Sequence, residues 1–294
     1  MRRKFSGTGV AVITPFNKKK EVDFPALKNI LNRAIECGVD YIVTLGTTGE
    51  TPTLSAVEKN EITRFTVEIV ANRLPVVIGI GGNSTQNVVE TIEKSDFRGI
   101  DGILSVTPYY NKPRPEGLYW HYKTISEAAP LPVIAYNVPG RTGVNMSAET
   151  TLRIANDCKN IVAIKEASGN IDQIMMLLKH RPKDFLIISG DDSMTFPMLA
   201  MGADGVISVA AQAVPKLFST MVRFVLSENF EEARTLHFKM LHFMNDIFAD
   251  GSPGGIKAAL HIQEMCENEL RLPLVPVDKA TYSFIKNDLM EIEI

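Results

Sequence analysis

The sequence predicts an α/β protein in which eight parallel strands alternate with helices and close into a (β/α)₈ barrel, followed by a C-terminal helical appendage. Short, continuously apolar runs recur at about the length of one βα unit, as expected of parallel strands buried on both faces. Helical patterns with recognisable ends lie between these runs. Eight such alternations in 294 residues favour a closed barrel over an open sheet.

The predicted strands fix the position of every later motif. In chain order they are Val10–Thr14, Tyr41–Leu45, Val76–Ile80, Gly102–Val106, Val133–Tyr136, Ile161–Lys165, Phe185–Ser189 and Gly205–Val209. Of the helices between them, one begins near Pro25 and ends before Gly38. A second follows the capping box Ser55-Ala56-Val57-Glu58, and a third opens at Ser147.

After Leu226 the pattern changes to helices only, over Phe230–Phe248, Gly255–Cys266 and Asp278–Ile292. We therefore predict a catalytic barrel over residues 1–226 and a helical region over residues 227–294. Apart from the βα unit itself, the sequence contains no short internal repeat that we could detect.

Composition excludes several classes of function. The net charge is −3 and charges of both signs are mixed, which argues against a nucleic-acid or membrane partner. No apolar run approaches the roughly 20 residues of a membrane-spanning helix. The three cysteines form no CxxC pair and the five histidines have no ligand spacing, so we expect a reducing, cytoplasmic location and no metal. The expected ligand is a small molecule.

In such a barrel, chemistry is expected at the carboxyl ends of the strands. Gly46-Thr47-Thr48-Gly49-Glu50 follows the second strand and can point backbone N–H groups at an anion, although the spacing alone favours a plain strand-to-helix turn. Thr107–Asn111 and Tyr136–Arg141 follow the fourth and fifth strands. Their tyrosines can transfer protons or simply pack in the core, and Arg141 can hold a carboxylate by two parallel bonds.

The sixth strand carries the sharpest signal, because the apolar run from Ile161 continues directly into Lys165 and Glu166. A buried lysine is either neutral, and then able to form an imine with a ketone, or paired in a salt bridge, for example with Glu166. The seventh strand ends in Ser189-Gly190-Asp191-Asp192, where Gly190 permits close approach of a ligand. The two aspartates could be metal ligands, but Asp192 fits better as the N-cap of the next helix.

Together these residues resemble the class I pyruvate aldolases of the dihydrodipicolinate synthase and N-acetylneuraminate lyase family. The resemblance runs from about Gly7 to Pro276 in one register. Each motif alone is weak, whereas five in the family's order at the predicted strand ends are specific. The motifs are GTTGE at Gly46, TPYYN at Thr107, YNVPGRTG at Tyr136, IKEASGN at Ile164 and SGDD at Ser189.

The resemblance implies a catalytic set. Lys165 would form the imine with pyruvate, and Tyr136 would act as the general acid and base at the imine and enamine stages. Thr47 would link Tyr136 to Tyr110, which in the family enters from the neighbouring subunit. A homo-oligomer, either a homodimer or a homotetramer, is therefore implied, while no metal or organic cofactor is.

It also implies the residues that bind substrate. The backbone around Thr48, its hydroxyl and Gly190 would hold the pyruvate carboxylate and the imine, with the Ile207 carbonyl lining the pocket. Arg141 would bind the carboxylate of the incoming aldehyde.

The implied reaction is the condensation of pyruvate with L-aspartate-4-semialdehyde to 4-hydroxy-tetrahydrodipicolinate, the entry to diaminopimelate and lysine biosynthesis. Thr47 and Arg141 favour it over the alternative of a sister aldolase that cleaves N-acetylneuraminate or a 2-keto-3-deoxy sugar acid. An idle barrel that only binds a keto acid is the more distant alternative, which the complete set of catalytic residues disfavours.

Two regions depart from parts of the family. Lysine-inhibited members carry histidines where this chain has Ala56 and Lys59, and glutamate where it has Asn87, so we predict weak or absent inhibition by L-lysine. Asn83 and Tyr109 are kept. The second departure is Ser252-Pro253-Gly254-Gly255, in place of an Asn-Pro-x-Pro sequence, to which we assign no function.

Overall fold

A computed structural model describes residues 4–293 and contains a closed barrel of eight parallel strands in the order β1 to β8. The predicted fold class is confirmed. The strands are β1 Gly7–Ala11, β2 Tyr41–Thr44, β3 Val76–Gly79, β4 Gly102–Val106, β5 Val133–Asn137, β6 Ile161–Glu166, β7 Leu186–Ser189 and β8 Gly205–Ser208.

Helices connect the strands around the outside of the barrel. Those of the barrel are α1 Phe24–Glu36, α2 Ala56–Val70, α3 Thr85–Lys94, α4 Pro115–Ala128, α5 Pro139–Thr142, α6 Ala148–Asp157, α7 Ile171–His180, α8 Thr195–Ala200 and α9 Pro215–Leu226. Three more follow as α10 Phe230–Ala249, α11 Gly254–Ile262 and α12 Lys279–Glu293. The predicted capping box is present, since Ser55 and Glu58 each accept the other's backbone N–H.

Most predicted strands agree with the structure to within one residue, but the first was placed three residues too late. Gly7 pairs with Gly205 of β8, and β1 ends at Ala11. The prediction followed burial rather than pairing, because Val12 and Ile13 stay buried after leaving the strand ladder. An apolar run indicates which residues are buried. Glycines that pair in a strand ladder add no apolar side chain, so the sequence gives no signal for them.

The C-terminal helices pack into the same hydrophobic core as the barrel helices. Phe243 of α10 and Ile285 of α12 belong to the cluster that also contains Leu31 of α1 and Phe218 of α9. The predicted division after Leu226 coincides with the end of α9, but the division of the chain into a catalytic barrel and a C-terminal helical region stays a prediction. Residues 1–3 and 294 of the two ranges lie outside the described part. Between residues 4 and 293, no helix has the length and apolar character to cross a membrane.

Gly255 gives a structural reason for the Ser252–Gly255 departure. A Cβ on Gly255 would lie 2.2 Å from the Ile247 carbonyl oxygen of α10. Glycine therefore allows the start of α11 to contact the backbone of α10 directly. This closeness matters because α11 carries a buried lysine, Lys257.

Candidate active site

Lys165 and Tyr136 are neighbours on the inner face of the barrel, one residue before the carboxyl ends of β6 and β5. The two residues pair across the strand ladder, and side chains two apart on a strand face the same way. Lys165 therefore lies on the inward side with Ala163, and Tyr136 with Ile134. The Lys165 Nζ is 4.4 Å from the centroid of the Tyr136 ring.

Burial changes the acid–base chemistry of Lys165. Its side chain is only 5% exposed, and burial lowers its pKa to about 8. The negative charge of Asp192 acts in the opposite direction, and the positive charge of Arg141 lowers the pKa further. Roughly a tenth of the amine is thus neutral at pH 7, far more than for an ordinary lysine, and only this neutral form attacks a carbonyl.

The alternative of a structural salt bridge between Lys165 and Glu166 is wrong. Adjacent residues of a strand face opposite sides, so Glu166 points away from the barrel interior. Its carboxylate accepts hydrogen bonds from Asn137 Nδ2 at 3.1 Å, Ser168 N at 2.7 Å and Gln173 Nε2 at 3.1 Å. Glu166 therefore organises the outer side of the strand ends and leaves the lysine amine available.

Burial also dominates the phenol of Tyr136, raising its pKa to about 12. Two neighbours lower it, namely the positive charge of Arg141 and a hydrogen bond with the Thr47 side chain. The structure thus brings together three of the four predicted catalytic residues, Lys165, Tyr136 and Thr47. A phenol with a hydroxyl partner beside an amine can pass protons to and from atoms bound at that amine.

The loop after β2 forms a turn of 3-10 helix at Thr47–Gly49. Thr48 is buried and Thr47 is exposed, so the two hydroxyls lie in different surroundings. The loop is tied down from both sides, because the Thr14 hydroxyl donates to the Gly49 carbonyl at 2.7 Å and the Thr51 hydroxyl to the Gly46 carbonyl at 2.9 Å. The predicted anion-binding loop is therefore a turn held by hydrogen bonds on both sides at the mouth of the barrel.

Gly190 lies directly against the lysine side chain. A Cβ at this position would be 2.8 Å from the Ala167 Cβ and 3.0 Å from the Lys165 Cε, so a larger residue would displace the lysine. Ile207, at the carboxyl end of β8, turns its side chain into the barrel interior. Both predicted pocket residues therefore belong to the same end of the barrel as Lys165.

The prediction that Asp192 caps the next helix is wrong. Helix α8 begins only at Thr195, and the Asp192 carboxylate instead accepts from Val209 N at 3.1 Å and Ala210 N at 2.8 Å. The loop after β7 begins at Gly190 and brings Asp192 close to the chain that follows β8. The two backbone amides there need an acceptor, and the carboxylate supplies it. Within the described residues, no group of three or more metal-ligating side chains could hold a metal ion.

A cavity of about 560 Å³ opens beside these residues. Its lining includes Tyr136, Thr47 and Arg141, together with Lys59 and Asn87. A larger cleft of about 680 Å³ near Asp23 and His261 is lined by none of the predicted site residues, so volume alone does not identify the site. Convergent polar groups with shifted pKa values do.

Tyr110, the fourth predicted catalytic residue, does not join the others within this chain. Its side chain is 89% exposed, and its backbone has a φ of 71°, which non-glycine residues seldom adopt. Neighbouring Tyr109 lines the cavity. The role assigned to Tyr110, which requires a second subunit, therefore stays a prediction.

Comparison with known proteins gives one consistent result. The model of the dihydrodipicolinate synthetase family matches residues 4–292. The 4-hydroxy-tetrahydrodipicolinate synthase of Parabacteroides distasonis is 50% identical over 288 residues, covering 98% of this chain and 97% of the relative. The crystal structure of dihydrodipicolinate synthase from Thermotoga maritima superposes with a TM-score of 0.97 at 42% identity, covering 99% of each chain. A monomeric dihydrodipicolinate synthase variant is similar as well, with a TM-score of 0.96 at 42% identity over 99% of this chain and 97% of the variant.

Proposed function

The chain belongs to the dihydrodipicolinate synthetase family, and from that membership we propose that it condenses pyruvate with L-aspartate-4-semialdehyde to 4-hydroxy-tetrahydrodipicolinate. The observation that carries the chemistry is the buried amine of Lys165, which has a lowered pKa and lies 4.4 Å from the ring centroid of Tyr136. The relatives at about half identity favour this reaction over cleavage of a sugar acid. The enzyme thereby serves lysine and diaminopimelate biosynthesis.

In the first half of the reaction, the neutral amine of Lys165 attacks the ketone of pyruvate and loses water to form an imine. The imine withdraws electrons, so a proton can leave the pyruvate methyl group and an enamine results. Tyr136 moves these protons, with Thr47 as its hydroxyl partner. The Thr48 hydroxyl and nearby backbone amides hold the pyruvate carboxylate, and Gly190 leaves room for the imine.

In the second half, the enamine carbon attacks the aldehyde and forms the new carbon–carbon bond. Arg141 holds the aldehyde substrate's carboxylate, a role supported by its position on the cavity wall beside Tyr136. The substrate's own amine then attacks the imine carbon, closes the ring and releases Lys165. Each proton taken up or released in these steps passes through Tyr136 or solvent.

The proposal includes a homo-oligomer, a homodimer or homotetramer, in which Tyr110 of one subunit completes the Tyr136–Thr47 pair of another. It is supported by the 89% exposure of Tyr110 in a strained backbone conformation beside the cavity. The proposed location is the cytoplasm, which suits the three free thiols Cys37, Cys158 and Cys266.

Borohydride reduction in the presence of pyruvate tests the central step. An adduct should form on Lys165 of the unmodified protein, and none should form on Lys165→Arg, whose guanidinium stays protonated. An adduct on another lysine would overturn the assignment. Parallel assays with aspartate semialdehyde, N-acetylneuraminate and 2-keto-3-deoxygluconate then identify the second substrate.

A further inference from the structure

Glu50, the last residue of the GTTGE motif, is a buried acid immediately after the loop that carries Thr47 and Thr48. It lies between two turns of 3-10 helix with φ 51° and ψ 35°, the left-handed region. A non-glycine residue keeps such a conformation only when its surroundings hold it there. The side-chain contacts of Glu50 are therefore part of what shapes the loop.

Those contacts come from the C-terminal part of the chain. The Lys257 Nζ of α11 lies 2.5 Å from Glu50 Oε1, and both side chains are fully buried. The backbone N–H of Arg271 donates to Glu50 Oε2 at 3.0 Å. The carboxylate is thus held at both oxygens by residues more than two hundred positions away in the sequence.

Lys257 has its own fixed surroundings. Its Nζ donates to the Glu269 carbonyl at 2.8 Å and lies 4.1 Å from the centroid of the Phe16 ring. A fully buried ammonium is costly unless it is paired and hydrogen-bonded, and here both conditions are met. The lysine therefore has little freedom to follow Glu50 if the loop moves.

Arg271 extends the same contact along the chain after the loop. Its guanidinium donates to the Thr53 carbonyl at 3.0 Å and forms two bonds to Glu58, at 3.0 and 2.5 Å. These bonds hold the pKa of Glu58 at about 2, well below its usual value. The segment from Glu50 to Glu58 is thereby fastened at three points to the C-terminal region.

We propose that Glu50, Lys257 and Arg271 form a positioning cluster that sets the orientation of Thr47 and Thr48. If Glu50 relaxed to an ordinary negative φ, the chain would change direction immediately after Gly49 and redirect both threonines. The inference rests on the proposed function, because it concerns how these threonines meet pyruvate and Tyr136. The C-terminal helices would then contribute to catalysis through the loop, without touching substrate.

The test compares Lys257→Met, Glu50→Gln and the double variant. Lys257→Met leaves Glu50 charged and buried, so it should lower both the melting temperature and kcat/KM for pyruvate. The double variant removes both charges and should recover most of the melting temperature, yet keep a roughly ten- to hundredfold deficit in kcat/KM for pyruvate, the scale of a small misplacement in an active site. KM for the aldehyde should change little, because Arg141 lies on another loop.

Arg181→Met supplies the matched control. Arg181 pairs with Asp204 before β8, at the opposite end of the barrel, so its loss should lower the melting temperature without changing kcat/KM for pyruvate. Recovery of both stability and pyruvate turnover in the double variant would overturn the inference. The rate of pyruvate adduct formation gives the same ratios without the aldehyde, so failure of the proposed second substrate is seen separately.

Discussion

The two ends of the barrel use polar residues in different ways. At the amino end, an aspartate immediately before β2, β4 and β8 accepts a backbone N–H of the neighbouring strand. The pairs are Asp40 with Thr8 N, Asp101 with Val76 N and Asp204 with Ile187 N, each at 2.8 Å. At the carboxyl end, Tyr136 and Arg141 instead line a cavity, and the amine of Lys165 lies against the ring of Tyr136.

The same contrast holds for the barrel interior. Phe5 and Tyr41 fill the amino end with edge-to-face rings whose centroids are 6.0 Å apart, and the Tyr41 hydroxyl donates to the Val206 carbonyl at 3.2 Å. At the other end, Gly190 lets the loop after β7 lie directly against the side chain of Lys165. Polar groups that are satisfied by hydrogen bonds to the backbone therefore serve stability, whereas those that face the cavity serve chemistry.

The largest expected effect separates the two ends directly. Lys165→Met should lower turnover by on the order of 10³-fold or more, because it removes the covalent nucleophile. It should keep stability or raise it by up to about 1 kcal/mol, since a buried amine is replaced by an apolar chain of similar length. Steady-state kinetics and denaturant unfolding measure the two quantities.

Tyr41→Phe is the matched change at the amino end. It should cost about 1 kcal/mol for one buried hydrogen bond and leave turnover unchanged. If Tyr41→Phe impaired turnover as Lys165→Met does, the division of labour between the two ends would be refuted.

Two arginines sharpen the contrast at a smaller scale. Arg141→Ala should lower kcat/KM for aspartate semialdehyde roughly ten- to a hundredfold, as loss of a charged hydrogen bond costs about 1.5–3 kcal/mol. Pyruvate trapping should persist, because this guanidinium serves the second substrate. Arg181→Ala should do the reverse, lowering stability by about 2–3 kcal/mol through its lost bonds to Asp204 and the Gly202 carbonyl. Parallel loss of trapping and turnover in Arg141→Ala would assign that residue to structure.

The cavity at the carboxyl end also bears on regulation. Lys59 and Asn87 line it together with Tyr136, so a molecule bound beside them lies in the same cavity as the active-site phenol. Lys59 repels an ammonium group and neutral Asn87 cannot pair with it, so L-lysine should inhibit weakly or not at all. Asn87→Glu should lower the lysine concentration for half-inhibition by about tenfold. This is the lower end of the effect expected from one charged hydrogen bond, because position 87 is exposed. Submillimolar inhibition of the unmodified enzyme would contradict this interpretation.

The sequence predicted the strands because parallel strands are buried on both faces and need continuous apolar runs. It predicted Lys165 for the same reason, since an amine at the end of such a run has no solvent. The sequence also contains a Gly-x-Asp motif before three even-numbered strands, which marks the amino end of the barrel. The three copies are Gly38-Val39-Asp40, Gly99-Ile100-Asp101 and Gly202-Ala203-Asp204, with each glycine at positive φ.

Other features were beyond sequence reasoning for a physical reason. The acceptor role of Asp192 depends on how closely the loops after β7 and β8 approach, and the Glu50–Lys257 pair joins residues 207 positions apart in sequence (257 minus 50). Local patterns report which residues are covered, and they carry no information on which distant segment covers them. Lys257 between Ile256 and Ala258 in an apolar helix was nevertheless a visible anomaly.

The smallest expected effect concerns pH, and it tests whether burial tunes the carboxyl end. Because the pKa of Lys165 is about 8, the neutral fraction of its amine falls as pH drops below that value. The initial rate of pyruvate adduct formation should therefore fall roughly fivefold between pH 8 and pH 7. Asp192→Asn removes the charge that raises this pKa and should move the profile to lower pH, whereas Arg181→Ala at the other end should not move it.

The lowered pKa of Lys165 also makes the free energy of unfolding depend on pH. The unfolded chain binds this proton up to about pH 10.5 and the folded chain only to about 8, so the contribution of Lys165 to stability rises with pH across that window and is missing in Lys165→Met. A midpoint near pH 10.5 in the rate profile of the unmodified protein would show that burial does not lower the pKa of the Lys165 amine.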